Sequence, residues 1–188
     1  MFCSVSGNTS SFLFLQFRVS FGFECIMFAA VKSGDAKKMA ELIRQDPGFN
    51  VNMDHGGGVT LLHEACHEDS RSAVIPLLLA HPDIDVNLKD KNGEAPFYWA
   101  CDGRPSCVRE LLKDSRVKVN EPNNYGETPL CIAARNGHLE VIKWWIASGR
   151  EIDLGEPGNE RADAIRRAEG MTRRMSLEGQ RSMARQKL

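Results

Sequence analysis

Residues 126–142 read Gly126-Glu127-Thr128-Pro129-Leu130-Cys131-Ile132-Ala133-Ala134-Arg135-Asn136-Gly137-His138-Leu139-Glu140-Val141-Ile142. Each part has a local physical meaning. Gly126 brings the backbone freedom of a tight turn. Thr128 can cap a helix by accepting a hydrogen bond from an otherwise free backbone N–H. Pro129 follows at the first helical position, where a missing N–H costs nothing. Asn136-Gly137 breaks this helix, and a second apolar run follows from Val141 to Ile146. Helices this short cannot bury their faces alone, so neighbouring units must supply the core.

The same unit recurs upstream. A Val-Asn pair stands at Val51-Asn52, Val86-Asn87 and Val119-Asn120, followed by the related Ile152-Asp153, with spacings of 35, 33 and 33. Between these markers Thr60-Leu61-Leu62-His63-Glu64-Ala65-Cys66 and Ala95-Pro96-Phe97-Tyr98-Trp99-Ala100-Cys101 match Thr128 to Ala134. A period near 33 is the signature of a repeat architecture.

These residues resemble the ankyrin repeat. Within 126–142 only Cys131 departs, standing where the family's T-P-L-H has His. The resemblance implies a mainly α solenoid of stacked helix-turn-helix units joined by hairpin-like turns. It spans residues 27–153, with an N-terminal half repeat at 28–52 and repeats at about 55–87, 90–120 and 123–153. Residues 154–188 read as a degenerate C-terminal capping repeat with a basic tail. Three irregularities are expected to show. Ala95 cannot cap as Thr does. The second full copy is one residue short, with Asp102-Gly103 in place of Asn-Gly. The first carries Pro76 in its second helix, which should start late or bend.

The stretch His63-Glu64-Ala65-Cys66-His67 also spells the H-E-x-x-H of zinc proteases. A zinc-dependent hydrolase is therefore an alternative function. The repeat explains the stretch without metal. His63 is the fourth residue of a T-P-L-H-like block, and the resemblance implies that it orders the turn with Thr60. Glu64 is the variable residue after it. A third ligand is not marked, since Ser70 and Ala73 stand where a metzincin needs Gly and His. Cys101 and Cys107 beside His63 and His67 would be neighbours through stacking alone. Gly56-Gly57-Gly58 lacks the Lys-Ser/Thr ending of a phosphate loop. No metal, cofactor, catalytic residue or small-molecule substrate is expected.

The ends of the chain differ from its middle. Residues 1–26 hold six of the nine Phe and two charges, Arg18 and Glu24. The segment lacks a basic start for a secretory signal and is too interrupted for a membrane span. It is read as a non-repeat extension, disordered or not native, with Met27 as the natural start. Residues 161–188 carry eight Lys and Arg against three Asp and Glu, which leaves −6 for residues 1–160 given the net charge of −1. This basic tail makes a nucleic-acid or membrane binder a further alternative. It lacks interleaved aromatics, and a solvated tail is the preferred reading. The six cysteines form no C-x-x-C pair and suggest reduced thiols in an intracellular, cytoplasmic protein.

The function expected from the resemblance is a non-enzymatic protein-protein interaction module. It implies partner contacts at the hairpin tips and the exposed face of the first helices. Carried onto this sequence, the tips are Gly57 and Val59, then Lys91, Asn92 and Glu94, then Asn124, Tyr125 and Glu127. The helix positions are His67 and Glu68, Asp102, and Arg135 with Asn136. Tyr125 is the best single anchor, because it offers a large area with a polar end. Trp144-Trp145 reads as core and convex surface. Beyond about residue 170 the apolar stripe fails, so the end of the stack is expected to stay open beside these tryptophans and to favour weak self-association.

Overall fold

The computed structural model describes residues 22–151 and Asp153. It shows the solenoid of paired helices that the repeat pattern implies. The first helix, α1, covers 22–33, and α2 (Ala36–Gln45) completes the half repeat. The full repeats follow as α3 (Leu61–Cys66) with a 3-10 turn (Asp69–Val74) and α4 (Ile75–Leu79), then α5 (Pro96–Cys101) with α6 (Pro105–Leu111), then α7 (Pro129–Arg135) with α8 (Leu139–Ser148). The inner row stacks α3 on α5 and α5 on α7, and the outer row stacks α4 on α6 and α6 on α8. Helix α1 takes in residues 22–26 of the Phe-rich segment, where Phe23 packs against the core. Residues 1–21, and the expected C-terminal cap and tail at 154–188, lie outside the described residues.

Cores form between repeats because the small and branched positions recur in register. Leu62, Ala65, Cys66, Ala100, Cys101, Leu130 and Ala133 are buried along the inner row, and Val74, Leu78, Val108, Leu111, Val141 and Trp145 along the outer one. Trp145 is fully buried and meets the Phe97 ring edge-on at 5.1 Å. Trp144 stays 40% exposed on α8, with the Arg109 guanidinium 5.6 Å from its ring centre. Lys32, Lys37 and Lys38 are exposed on the half repeat.

The Val-Asn marker has a structural reason beyond its apolar half. Asn52 donates to the Asp83 carbonyl at 2.8 Å and accepts from the Asp85 N–H at 2.9 Å. Asn87 does the same with Arg116 and Lys118, and Asn120 with Glu151 and Asp153. Each amide thus bridges to the backbone of the next repeat. A side-chain amide satisfies one donor and one acceptor at once through two separate atoms, which no aliphatic side chain at this position could do.

The irregular repeats resolve as local adjustments. Before Pro76 the chain winds as a 3-10 turn, and α4 begins at Ile75 with Pro76 in its first turn, where the missing N–H is harmless. Ala95 gives α5 no side-chain cap. Helix α6 has no cap from its own N-cap residue Arg104, and receives one from Asp69 of the preceding repeat.

Candidate partner-binding surface

The hairpin tips are built by side-chain acceptors. Asp90 Oδ1 accepts from the N–H groups of Asn92 and Glu94, both at 2.9 Å. Asn123 Oδ1 accepts likewise from Tyr125 and Glu127 at 2.9 and 3.0 Å. Successive tips are also joined through the backbone. Lys91 N–H donates to the Gly57 carbonyl at 2.8 Å, and Asn124 N–H to that of Asn92 at 2.9 Å. The tips therefore form a continuous row rather than separate loops. Gly57, Lys91, Asn124 and Tyr125 are exposed along it, Tyr125 at 71%, while Val59, Asn92 and Glu94 are half-buried.

Below the row runs the face of the inner helices. His67, Glu68, Arg135 and Asn136 are exposed there. Asp102 is half-buried and held by Asn136 Nδ2 at 2.8 Å, His138 Nε2 at 3.3 Å and Arg104 Nη1 at 2.7 Å. Burial pushes its carboxyl up, but these three donors outweigh burial and hold it below the usual range. Glu127 also turns inward. It is ion-paired with Arg135 and accepts from the Tyr98 hydroxyl at 3.2 Å. Between the second and third tips the surface sinks into a groove of ≈ 400 Å³ whose walls include Tyr98, Trp99, Glu94 and Glu127.

The HEACH stretch is part of the scaffold of this face. Thr60 N–H donates to His63 Nδ1 at 3.2 Å, and His63 N–H returns a bond to Thr60 Oγ1. His63 Nε2 lies 2.9 Å from the Glu94 carbonyl in the next repeat. Because Nδ1 accepts from a backbone N–H, the ring proton sits on Nε2 and donates to that carbonyl. Both ring nitrogens are thus committed to protein. Glu64 is buried and ion-paired with Arg71, with His55 Nε2 3.5 Å from its other oxygen. His67 is exposed and rests beside the Trp99 ring at 5.8 Å. Cys101 and Cys107 are buried free thiols, and burial pushes both pKa values up, that of Cys107 to about 12. Among the described residues no group of three or more His, Cys, Asp or Glu is arranged to hold a metal ion.

The sequence reading named the groove's rim but not its floor. Tyr98 occupies the position of His63 in its own repeat and does the same work with a longer side chain. Its hydroxyl donates to Glu127 and accepts from Asn123 Nδ2 at 3.2 Å, tying α5 to the next tip. Burial, and then the nearby Glu127 and Glu94 charges, push its phenol well above the ordinary value. Trp99 stands where the other repeats have Glu64 and Ile132. A large aromatic at that variable, inward-facing position was the available signal.

Residues 26–121 and 74–155 match a family model described as ankyrin repeats (3 copies). Among curated proteins, the SMC5-SMC6 complex localization factor protein 1 of Homo sapiens is 39% identical over 112 residues, which is 56% of this chain and 10% of that protein. Rabankyrin-5 of Mus musculus is 30% identical over 101 residues, 53% of this chain and 9% of its own length. A putative ankyrin repeat protein of Rickettsia bellii is 31% identical over 98 residues, 52% of this chain and 54% of that one. The chain thus spans about a tenth of the first two relatives.

Proposed function

Because the chain belongs to the ankyrin repeat family, we propose that it is a non-enzymatic module that binds a partner protein through the row of hairpin tips and the inner-helix face. Ankyrin repeats generally serve protein-protein interaction, and the polar, aromatic-bearing tip row supports that use here. The observation that carries the reading is the exposure of Tyr125 at 71% on a tip fixed by backbone bonds to its neighbours. A rigid aromatic with a polar end contributes contact area at little entropic cost. The relatives differ widely in their named roles, so the repeat itself does not choose the partner. We place the protein inside the cell, in the cytoplasm. The buried free thiols of Cys66, Cys101 and Cys107 support that setting.

The test is co-purification from native extract with the full chain as bait. A partner should be retained by the wild type and lost by a tip variant carrying Lys91→Ala, Asn124→Ala and Tyr125→Ala, with unchanged helical circular dichroism. Full retention by that variant moves the interface elsewhere.

A further inference from the structure

We infer that the groove between the second and third hairpin tips receives a lysine or arginine side chain from an extended basic peptide of the partner. This rests on the reading of the chain as an interaction module and names the chemistry that module selects. Three observations carry it. First, the walls are aromatic and acidic together, with Trp99 and Tyr98 lining the same groove as Glu94 and Glu127. A cation is attracted to an aromatic face, and the same chain already seats the Arg109 guanidinium against Trp144.

Second, the groove's own cations are taken. Arg135 is paired with Glu127 and Arg104 with Asp102. The groups beside the Glu94 carboxylate, the Asn123 amide and the Trp99 indole, are neutral. The indole N–H is buried beside that carboxylate and faces it without a well-formed hydrogen bond. Burial, and next the Asp90 charge, raise the Glu94 carboxyl above its ordinary value. An arriving cation would relieve that repulsion. Third, residues 1–160 carry −6, so the field around the groove steers basic segments toward it.

Hexalysine is the probe, and the indole N–H resonance of Trp99 in the full chain is the readout, assigned with Trp99→Phe. Hexalysine should shift that resonance saturably, while fully side-chain-acetylated hexalysine should not. Glu94→Gln keeps the side chain's shape and removes its charge, and should weaken binding by about tenfold or more, the worth of one charge-assisted contact. Glu140→Gln, on α8, should leave it unchanged. Equal weakening by both substitutions, or a shift with the acetylated peptide, overturns the proposal. A further variant replaces Arg173, Arg174, Arg181 and Arg185 by Gln. If hexalysine shifts Trp99 only in that variant, the occupant is the chain's own tail and the partner peptide is ruled out. Failure here is separable from failure of the module reading. A partner lost by the tip variant but kept by Glu94→Gln leaves the module and removes the cation site.

Discussion

Asp69 caps a helix in the repeat after its own: its Oδ1 accepts from the Ser106 N–H at 2.7 Å and its Oδ2 from the Ser106 hydroxyl at 2.8 Å. Ser106 lies in the first turn of α6, whose backbone N–H groups have no partner within the helix. The Asp69 carboxylate also meets the partial positive charge at that end. Asp69→Ala should therefore cost about 1–2 kcal/mol, as loss of a cap does. Asp69→Asn should cost less, because one acceptor oxygen remains. Urea denaturation of the full chain measures both. Equal stability of Asp69→Ala and wild type would show that the bond contributes nothing.

His63 joins two repeats, so its loss should exceed that of a local cap. His63→Ala removes the bonds to Thr60 and to the Glu94 carbonyl and leaves a cavity beside Trp99, whose ring lies 5.4 Å away. The cost should be about 2–4 kcal/mol, combining lost hydrogen bonds with lost packing. Metal content of protein purified without chelator should be unaffected. Stoichiometric zinc that disappears with His63→Ala would overturn the structural role.

The same residue makes stability depend on pH. Burial lowers the His63 pKa below its ordinary 6.5, with the Glu94 carbonyl only partly opposing this. Between the two values the unfolded chain binds a proton that the folded one does not. Stability is therefore fully present above pH 6.5 and is lost as pH falls below it toward the folded value. The limiting slope is about 1.4 kcal/mol per pH unit. His63→Gln should flatten this part of the profile in denaturation measured between pH 5 and 7.5. An unchanged slope would assign the dependence to another group.

What the sequence could reveal followed its period. Thr60, Thr128 and Pro129 each act within one unit, so their roles could be read from local chemistry, whereas the Val-Asn markers showed the period but not the bonds their amides make to the next repeat. Pro76 likewise announced a helix that starts late or bends, because its effect is on its own backbone, and the late start is the outcome. Bonds that cross between units were less legible. Nothing around Asp69 marks it as the cap of a helix 37 residues on. Glu127 looks like any charged tip residue until Tyr98 and Arg135 are placed beside it. The groove floor was missed for the same reason, since Trp99 becomes a wall only when the next tip folds over it.

The asparagine ladder predicts a local signature. Asn87→Ala leaves the Lys118 N–H without its acceptor, formerly at 2.8 Å, and the Arg116 carbonyl without its donor. A loss of about 1–2 kcal/mol is expected from two such bonds at a partly exposed site. Hydrogen exchange should quicken at Lys118 while Asp85, bridged by Asn52, keeps its rate. Uniform quickening across the stack would mean that the ladder is not a set of separable bridges.

Gly93 and Gly137 provide a paired test of how tightly the tips stack. Both are left-handed, with φ of 75° and 71°. An added Cβ strains either backbone by about 1–2 kcal/mol. At Gly137 it would meet nothing within 4 Å, so strain is the whole cost. At Gly93 it would lie 2.2 Å from Asn124 Oδ1 and 2.7 Å from the Asn124 backbone nitrogen. The side chain can turn away, but the nitrogen cannot move without stretching its bond to the Asn92 carbonyl. Gly93→Ala should therefore destabilise clearly more than Gly137→Ala in urea denaturation. It should also speed exchange of the Asn124 N–H, which Gly137→Ala should not do. Equal losses with a protected Asn124 would mean that the second and third tips stand further apart than this packing requires.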